Sequence, residues 1–180
     1  MAKNMNNLIT LTPEQLLMRP VADFAQKWFL LTAGDFSEKR YNTMTVSWGT
    51  IGVLWAKPVV QVFSRPQRYT REFLDAYPTF TLALFPDSYR PALQLLGTKS
   101  GRDGDKIAEV GLTPTASTCV AAPSFAEAEL IIEARKLFAQ KLDAASFVDH
   151  ALITANYPNR DFHTHYFGEI LAVRGTANWY

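Results

Sequence analysis

The amino-acid sequence predicts a mainly β fold with short helices at its periphery, and three observations support this. Short runs rich in apolar, β-branched and aromatic residues recur along the chain, as is typical of strands. The predicted strands are Trp28–Thr32, Met44–Gly49, Val59–Ser64, Thr79–Phe85 and His165–Val173. Aromatic residues make up 13% of the 180 residues, which suits a well-packed β core. The helical patterns between the strands are short, and glycine or proline bounds several of them.

Helix start and stop signals predict several short helices. Thr12 can cap a first helix, Gln15 can complete a capping box, and Pro20 should end or bend that helix early. Further helices are predicted over Tyr69–Ala76, over Ser88–Leu96 with Asp87 as its cap and Gly97 as its stop, and over Ile107–Val110 before Gly111. Loops are predicted over Ala33–Lys39, Thr98–Asp105 and Leu112–Pro123.

Length and charge restrict the class of protein. A chain of 180 residues is expected to form one domain over residues 1–180, with room for a sizeable core. The formal net charge of +1 gives no reason to expect binding to nucleic acid or to an anionic membrane. No apolar run reaches the roughly 20 residues that span a bilayer, and the N-terminus lacks the pattern of a signal peptide. We therefore expect a soluble, cytoplasmic protein.

The single cysteine, Cys119, excludes an internal disulfide and a cysteine-based metal cluster. Its surroundings carry no catalytic signal, so we expect a small buried side chain rather than a nucleophile. The sequence also contains no P-loop, no G-x-G-x-x-G after a strand and no G-x-S-x-G elbow. A nicotinamide dinucleotide would therefore bind as a transient substrate, without a Rossmann domain of its own.

Three arginines follow the strand Val59–Ser64, and they point to a phosphate-binding site. Arg65, Arg68 and Thr70 lie close together at the junction between this strand and the predicted helix Tyr69–Ala76. Guanidinium groups are planar donors suited to a dianion, and the first turn of a helix adds free backbone N–H groups. Arg71 should face solvent one turn later. The alternative is that all of these arginines are ordinary surface charges.

The same region resembles a known family. The segments YNTMTVSWG, GVLWAKP and RPQRYT are similar to those of the flavin reductase-like family of FMN-binding split-barrel proteins. Three later segments, GTKSGRDGDK, EARKLFAQKLD and DFHTHYFGEI, follow in the family's order, so the resemblance extends from about Trp28 to about Val173. It implies a Greek-key split β-barrel with short peripheral helices. It also implies FMN as cofactor and a homodimer with the flavin near the subunit interface.

The resemblance implies two sets of cofactor-binding residues. Those expected at the FMN phosphate are Arg65, Arg68, Tyr69, Thr70, Ser100 and Lys106. Those expected along the flavin ring are Asn42, Thr45, Val46, Ser47 and Trp48. An ordinary half-buried strand would explain the second set equally well, because Met44, Val46 and Trp48 would share one face of it. The two interpretations are compatible, since the opposite face carries the hydroxyl groups.

His163 is the candidate catalytic residue. The pair His163 and His165 would point the same way on a strand, as two metal ligands do, but no third ligand is evident and no metal is expected. The resemblance matches His163-Thr164 to a His-Thr pair that lies near the flavin and the nicotinamide in related reductases. The alternative is a structural histidine that bonds a neighbouring loop.

Local pattern and resemblance disagree over Glu127–Leu142. Apolar residues recur there at helical spacing, and Glu, Ala, Lys and Leu favour helices. The resemblance implies a barrel strand instead. Because barrel closure supplies partners that a lone strand lacks, tertiary context can override propensity. We predict a strand.

Two functions of different classes fit these expectations. One is a flavin-dependent oxidoreductase in which FMN takes hydride from NAD(P)H and passes electrons to an unknown acceptor. The other is a non-catalytic FMN-binding electron carrier of the flavoredoxin type. A β-barrel that binds another ligand is a third, weaker alternative. Both flavin hypotheses need the same binding site, so the sequence does not separate them.

Overall fold

The structure is a computed structural model and describes residues 7–180. In chain order, its strands and helices are β1 (Ile9–Leu11), α1 (Pro20–Ala22), β2 (Phe29–Asp35), β3 (Arg40–Val46), β4 (Gly49–Leu54), β5 (Lys57–Ser64), α2 (Tyr69–Ala76), β6 (Thr79–Leu84), α3 (Arg90–Thr98), α4 (Lys106–Glu109), β7 (Pro114–Thr115), β8 (Ser124–Phe125), β9 (Leu130–Lys141), α5 (Ala151–Asn156) and β10 (Thr164–Gly175). Short 3₁₀ turns join several of these elements. A π-helical segment, Asp23–Lys27, continues α1.

Eight of the strands form one antiparallel sheet in the order β3-β2-β6-β9-β10-β5-β4, and β1 pairs with the end of β10. The sheet's two edge strands, β3 and β4, are consecutive in the chain, and only Ser47 and Trp48 separate them. The sheet must therefore curl until its edges approach each other at this junction. Along the rest of their length, no pairing joins β3 to β4 in the described residues. This opening between the edges, which we call the seam, makes the barrel a split one.

The predicted fold class is confirmed: the protein is a mainly β split barrel with short peripheral helices. Alternate residues of the strands fill the interior, among them Phe29, Phe80, Leu82 and Tyr166. Residues of the opposite faces of β2, β6 and β9 form a second cluster beneath α3 and α4. The two helices therefore cover these strands from outside, and close packing holds α3 and α4 against the barrel next to β3.

The segment predicted as a strand against its local pattern is a strand. β9 pairs with β6 on one side and with β10 on the other. Its first half, Leu130–Ala134, is buried on both faces. A strand covered on both sides shows no alternation of apolar and polar residues, which explains why helical spacing dominates the local pattern.

Several predicted boundaries are wrong. The strand predicted over Met44–Gly49 starts earlier and ends at Val46, and β4 begins anew at Gly49. The hairpin between β4 and β5 was not predicted. Its two-residue turn, Trp55-Ala56, has φ values of 53° and 55°, a conformation for which Asn-Gly is the usual signal. β2 likewise extends to Asp35, into the predicted loop.

The helices differ from expectation in similar ways. Thr12 starts only a single 3₁₀ turn, although Gln15 does complete the capping box by accepting from the Thr12 N–H at 2.9 Å. Pro20 begins a helix instead of ending one, as its fixed φ allows at the first helical position. The helix predicted from Ser88 becomes a 3₁₀ turn followed by α3, which continues past Gly97 to Thr98. α5 was not predicted.

Cys119 is exposed, so the expectation of a buried side chain is wrong. Its thiol donates to the buried carboxylate of Glu133, which also accepts from the backbone N–H groups of Thr118 and Cys119. The loop therefore folds around a carboxylate of β9 and not around an apolar pocket. Within residues 7–180, none of the helices has the length and apolar character needed to cross a membrane.

Candidate functional site

A cleft of about 310 Å³ opens at the seam, and we call it the seam cleft. Its lining comes from the end of β3 and the β3–β4 junction (Met44–Trp48), from the end of β5 (Phe63–Arg65), and from Arg68 and His163. A second cleft of about 200 Å³ lies at the N-terminus of α2, and we call it the helix cleft. Its lining residues are Asn42, Gln67, Arg68, Tyr69, Thr70, Thr98, Lys99, Ser100, Gly101 and Lys106.

The structure brings all the residues predicted for the site to these two clefts. The seam cleft is lined by Thr45, Val46, Ser47, Trp48, Arg65, Arg68 and His163. The helix cleft is lined by Asn42, Arg68, Tyr69, Thr70, Ser100 and Lys106. Arg68 lines both, so the two clefts lie side by side with one guanidinium between them.

Half-buried Arg68 and buried Lys106 are two cations without an acidic partner in the described residues. In the described part of the chain, neither side chain forms an ion pair with a carboxylate. Burial lowers the pKa of the Arg68 guanidinium. Burial, and secondarily the charge of Arg68, lowers the pKa of Lys106 to about 8. Two uncompensated cations in a partly dry cleft are costly alone, and an anion would stabilise them.

Backbone carbonyls at the C-terminal end of α3 hold both cations in place. Arg68 Nη1 donates to the Gly97 carbonyl at 2.6 Å. Lys106 Nζ donates to the carbonyls of Leu96 and Lys99 at 2.9 and 3.0 Å. Carbonyls carry only partial charge, so they orient the cations without neutralising them. The remaining N–H groups of Arg68 have no partner among residues 7–180 and remain available to a ligand.

The N-terminus of α2 supplies neutral donors to the helix cleft. Asn42 Nδ2 donates to Thr70 Oγ1 at 2.8 Å, which ties β3 to the first turn of this helix. The N–H groups of a first helical turn lack intrahelical acceptors and favour an anion. The loop that carries Ser100 packs tightly above them, because a Cβ on Gly101 would lie 2.3 Å from Asn42 Oδ1. Only glycine lets this loop approach so closely.

Arg65 does not join this cluster, and the structure does not support its expected contact with a phosphate. Its Nη1 pairs with Asp161 Oδ2 at 2.6 Å, and its Nη2 donates to the Asn156 carbonyl at 2.9 Å. Both terminal nitrogens of the guanidinium are thus already engaged, at the edge of the seam cleft. Arg71, which was expected to face solvent, is half-buried in the first turn of α2, with its Nε 3.3 Å from Asp75 Oδ2.

The β3–β4 junction differs from the simple alternation that was expected. Met44 and Val46 face the core, whereas Trp48 is 44% exposed beside the seam cleft. The hydroxyl of Thr45 donates to the Leu93 carbonyl at 2.5 Å, so it anchors α3 and is not a free donor. Ser47 stays half-buried in the cleft lining with its hydroxyl uncommitted among the described residues.

His163 lies in the seam cleft against Trp48, with ring centroids 4.9 Å apart. Its Nδ1 is 3.0 Å from the hydroxyl of Tyr157. Burial, reinforced by Arg65 and opposed by Asp161, lowers the pKa of His163 to about 4. The imidazole is therefore neutral near pH 7. In residues 7–180, no group of three or more His, Cys, Asp or Glu side chains is placed to hold a metal ion.

Sequence reasoning missed part of the lining. Phe63 and Ser64 line the seam cleft but were not predicted to do so. They end the predicted strand Val59–Ser64, directly before Arg65, and this position could have identified them. The carbonyl of Gly97 and the side chain of Tyr157 carry no sequence signal of this kind. The Gly97 carbonyl contacts Arg68, 29 residues away in the chain, and Tyr157 contacts His163 six residues later.

The fold is that of the split-barrel class, and comparison with known proteins specifies the class further. The chain belongs to the flavin reductase-like family, because the flavin reductase-like domain matches residues 21–178. This confirms the family that the sequence motifs indicate. Among proteins with curated descriptions, none matches the chain.

Solved structures with the same fold include three informative relatives. Flavoredoxin of Desulfovibrio vulgaris (Miyazaki F) is 25% identical, with a TM-score of 0.64, covering 84% of this chain and 70% of that one. An FMN-binding domain of a flavin reductase-like enzyme from Shewanella baltica OS155 is 13% identical, with a TM-score of 0.69. The match covers 94% of this chain and 78% of that one. An NADH:FAD oxidoreductase of Streptomyces globisporus C-1027 is 16% identical, with a TM-score of 0.65. The match covers 86% of this chain and 78% of that one.

Proposed function

We propose that this protein binds FMN across both clefts and passes electrons from NAD(P)H through the flavin to an acceptor. The observation that carries the proposal is the pair of cations formed by half-buried Arg68 and buried Lys106, which have no carboxylate partner in the described chain. A phosphate dianion would supply the missing charge, and the first turn of α2 would add backbone donors. Flavoredoxin and the FMN-binding domain from Shewanella baltica support the choice of flavin.

The donor set also fits the rest of such a ligand. The seam cleft lies next to the smaller helix cleft, and Ser47, the backbone of the β3–β4 junction and His163 line its walls. These groups match the carbonyl oxygens and nitrogens at the edge of an isoalloxazine ring. When bound, FMN supplies the hydride and electron chemistry. The chain's own residues bind the phosphate, orient the ring and exclude water from one side of it.

A homodimer forms part of the proposal, and an exposed aromatic row supports it. The row begins at the seam cleft and continues along the outer face of β5, β10 and β9, with neighbouring ring centroids 4.9–6.4 Å apart. It consists of Trp48, His163, Phe63, His165, Phe138, Phe167 and Trp55, all of them exposed or half-buried except His163, which is buried. Trp55 is 56% exposed and Phe138 39%. A contiguous apolar patch of this kind marks an interaction surface, and its continuity with the seam cleft would place a partner subunit beside the flavin.

Stopped-flow mixing of the FMN-loaded protein with NADH or NADPH tests the catalytic part. If the protein is an oxidoreductase, the nucleotide should reduce the flavin and bleach its oxidised absorbance band within seconds of mixing. The protein should then turn over when an electron acceptor is added. The non-catalytic carrier, which the likeness to flavoredoxin favours, should hold FMN yet show no bleaching by either nucleotide. That second outcome would leave FMN binding intact and contradict the NAD(P)H step alone.

A further inference from the structure

Tyr157, which directly follows α5, contacts His163 inside the wall of the seam cleft. Its hydroxyl lies 3.0 Å from His163 Nδ1, and the two rings meet edge to face with centroids 5.6 Å apart. Tyr157 is 4% exposed and His163 is 8% exposed. Because water hardly reaches this hydrogen bond, it fixes both the orientation of the imidazole ring and the position of its proton.

The chemistry of the two groups sets the direction of the bond. A phenol is a good donor and a neutral imidazole nitrogen is a good acceptor, so the O–H of Tyr157 donates to Nδ1. Burial raises the pKa of Tyr157 and lowers that of His163 to about 4, so both groups are neutral near pH 7. The single proton of the imidazole then resides on Nε2. Among residues 7–180, that nitrogen has no hydrogen-bond partner.

The surrounding loop holds Tyr157 firmly in this position. The Arg65 guanidinium lies over its ring, 5.3 Å from the centroid, and is itself fixed by Asp161 and the Asn156 carbonyl. The rings of Phe147 and Phe162 pack on Tyr157 with centroids 5.9 and 4.8 Å away. Arg65, which sequence reasoning assigned to the phosphate, thus stabilises the segment that presents Tyr157.

We propose that Tyr157 is a positioning residue that holds His163 in the Nε2–H tautomer, and that His163 thereby donates a hydrogen bond to an acceptor atom of the flavin ring in the seam cleft. The second half rests on the proposed function; the first half does not. A histidine held this way is a neutral donor in the cleft. It does not take a proton from the ligand, because its acceptor nitrogen is already occupied by the phenol.

Nitrogen NMR of the full chain, labelled with ¹⁵N-histidine at pH 7, tests the tautomer directly. We expect the wild-type His163 to carry its proton on Nε2, and its Nδ1 resonance to move towards that of an unbonded acceptor in Tyr157→Phe. His150 and His165 are assigned with His150→Gln and His165→Gln. The His165 resonances, whose Nδ1 contacts Gln61, should not move in Tyr157→Phe and report intact folding. A proton on Nδ1 in the wild type, or an unchanged Nδ1 in Tyr157→Phe, would overturn the proposal.

A matched control separates the hydrogen bond from packing. Phe147→Leu loosens the same aromatic cluster but keeps the phenol, so the His163 resonances should stay near their wild-type positions. If Phe147→Leu moved them as far as Tyr157→Phe does, the effect would be one of packing and the proposal would fail. Thermal melts of both variants show whether either one has unfolded.

Flavin titrations of the same variants test the contact with the ring. Tyr157→Phe should weaken FMN and riboflavin equally, by about two- to tenfold, the range for one net hydrogen bond. Unchanged affinity for both flavins, or a loss confined to FMN, would refute the ring contact. A wild-type protein that binds neither flavin would refute the proposed function, and the NMR measurement would still decide the tautomer.

Discussion

At the scale of single residues, the site depends on which positively charged side chains lack a carboxylate partner. The sequence places three arginines together, and only the fold separates Arg68 from Arg65: Arg65 pairs with Asp161, Arg71 lies near Asp75, and Arg68 has no acidic partner in the described chain. Lys106 joins Arg68 from the start of α4 and carries a pKa lowered to about 8. This difference in partners, which spacing along the chain does not reveal, selects the residues that would hold a phosphate.

The lowered pKa of Lys106 predicts how FMN affinity depends on pH. In the free protein Lys106 is charged below about pH 8 and loses its proton above it. A bound phosphate favours the charged form, so affinity for FMN should fall by up to about tenfold per pH unit above pH 8. Fluorescence titrations between pH 7 and pH 9.5 measure this. Riboflavin, which has no phosphate, should show no such decline.

The variant Lys106→Met is the control for that titration. It should bind FMN more weakly at pH 7 and lose the decline above pH 8. A wild-type profile that stays flat to pH 9.5, or a decline that persists unchanged in Lys106→Met, would show that the ammonium does not contact the phosphate.

At the scale of secondary-structure elements, the sequence predicts the elements better than their ends. α2 has the predicted bounds Tyr69–Ala76, and β9 is the strand that the family resemblance implies against its helical pattern. The β4–β5 hairpin was missed because its turn uses Trp55 and Ala56 at positive φ, where the usual turn residues are absent. Side-chain packing of Trp55 on Phe138 and Phe167 accompanies this turn and cannot be read from local propensity.

The unusual turn gives a test of local strain. Ala56 has a φ of 55°, a region that glycine occupies without steric cost. The substitution Ala56→Gly should raise the free energy of unfolding by about 0.5–1 kcal/mol, net of the added entropy of the unfolded chain. Denaturant melts measure the difference. A stability loss in Ala56→Gly would mean that the methyl group contributes packing that outweighs the strain.

Packing inside the barrel gives a second test at this scale. A Cβ on Gly168 would lie 2.5 Å from Phe80 Cζ and 3.0 Å from Ala134 Cβ, whereas a Cβ on Gly52 would meet nothing within 4 Å. Gly168→Ala should therefore lower the free energy of unfolding by about 1–3 kcal/mol through overpacking. Gly52→Ala is the matched control and should change stability little. Equal effects of the two substitutions in thermal melts would contradict the described interior.

At the scale of the whole molecule, the sheet order explains why the site lies where it does. The two edge strands are consecutive in the chain, so curling of the sheet brings its edges together at Ser47 and Trp48 and leaves the seam open beside them. β5 and α2 then direct Arg68 into the space between the two clefts. Sequence motifs indicated these segments, but their meeting at one seam follows only from the order in which the strands pair.

Assembly supplies a prediction at the same scale. If the aromatic row forms a dimer interface beside the flavin, FMN and dimerisation are thermodynamically linked, and adding FMN must strengthen the dimer. Sedimentation at decreasing protein concentration, with and without FMN, measures this. Phe138→Lys, on the row, should weaken both the dimer and FMN binding, whereas Val148→Lys, at a site 99% exposed, should affect neither. A monomer with full affinity for FMN would contradict the shared site.

The most direct test of the central claim compares FMN with riboflavin in three proteins: wild type, Arg68→Ala and Arg71→Ala. The wild type should bind FMN more tightly than riboflavin, because each charge-assisted bond to phosphate contributes about 1.5–3 kcal/mol. Arg68→Ala should lose about tenfold or more in FMN affinity while riboflavin binding stays nearly constant, and Arg71→Ala should match the wild type. Equal affinity of the wild type for both flavins, or an equal loss of both in Arg68→Ala, would contradict the claim that the helix cleft binds the flavin phosphate.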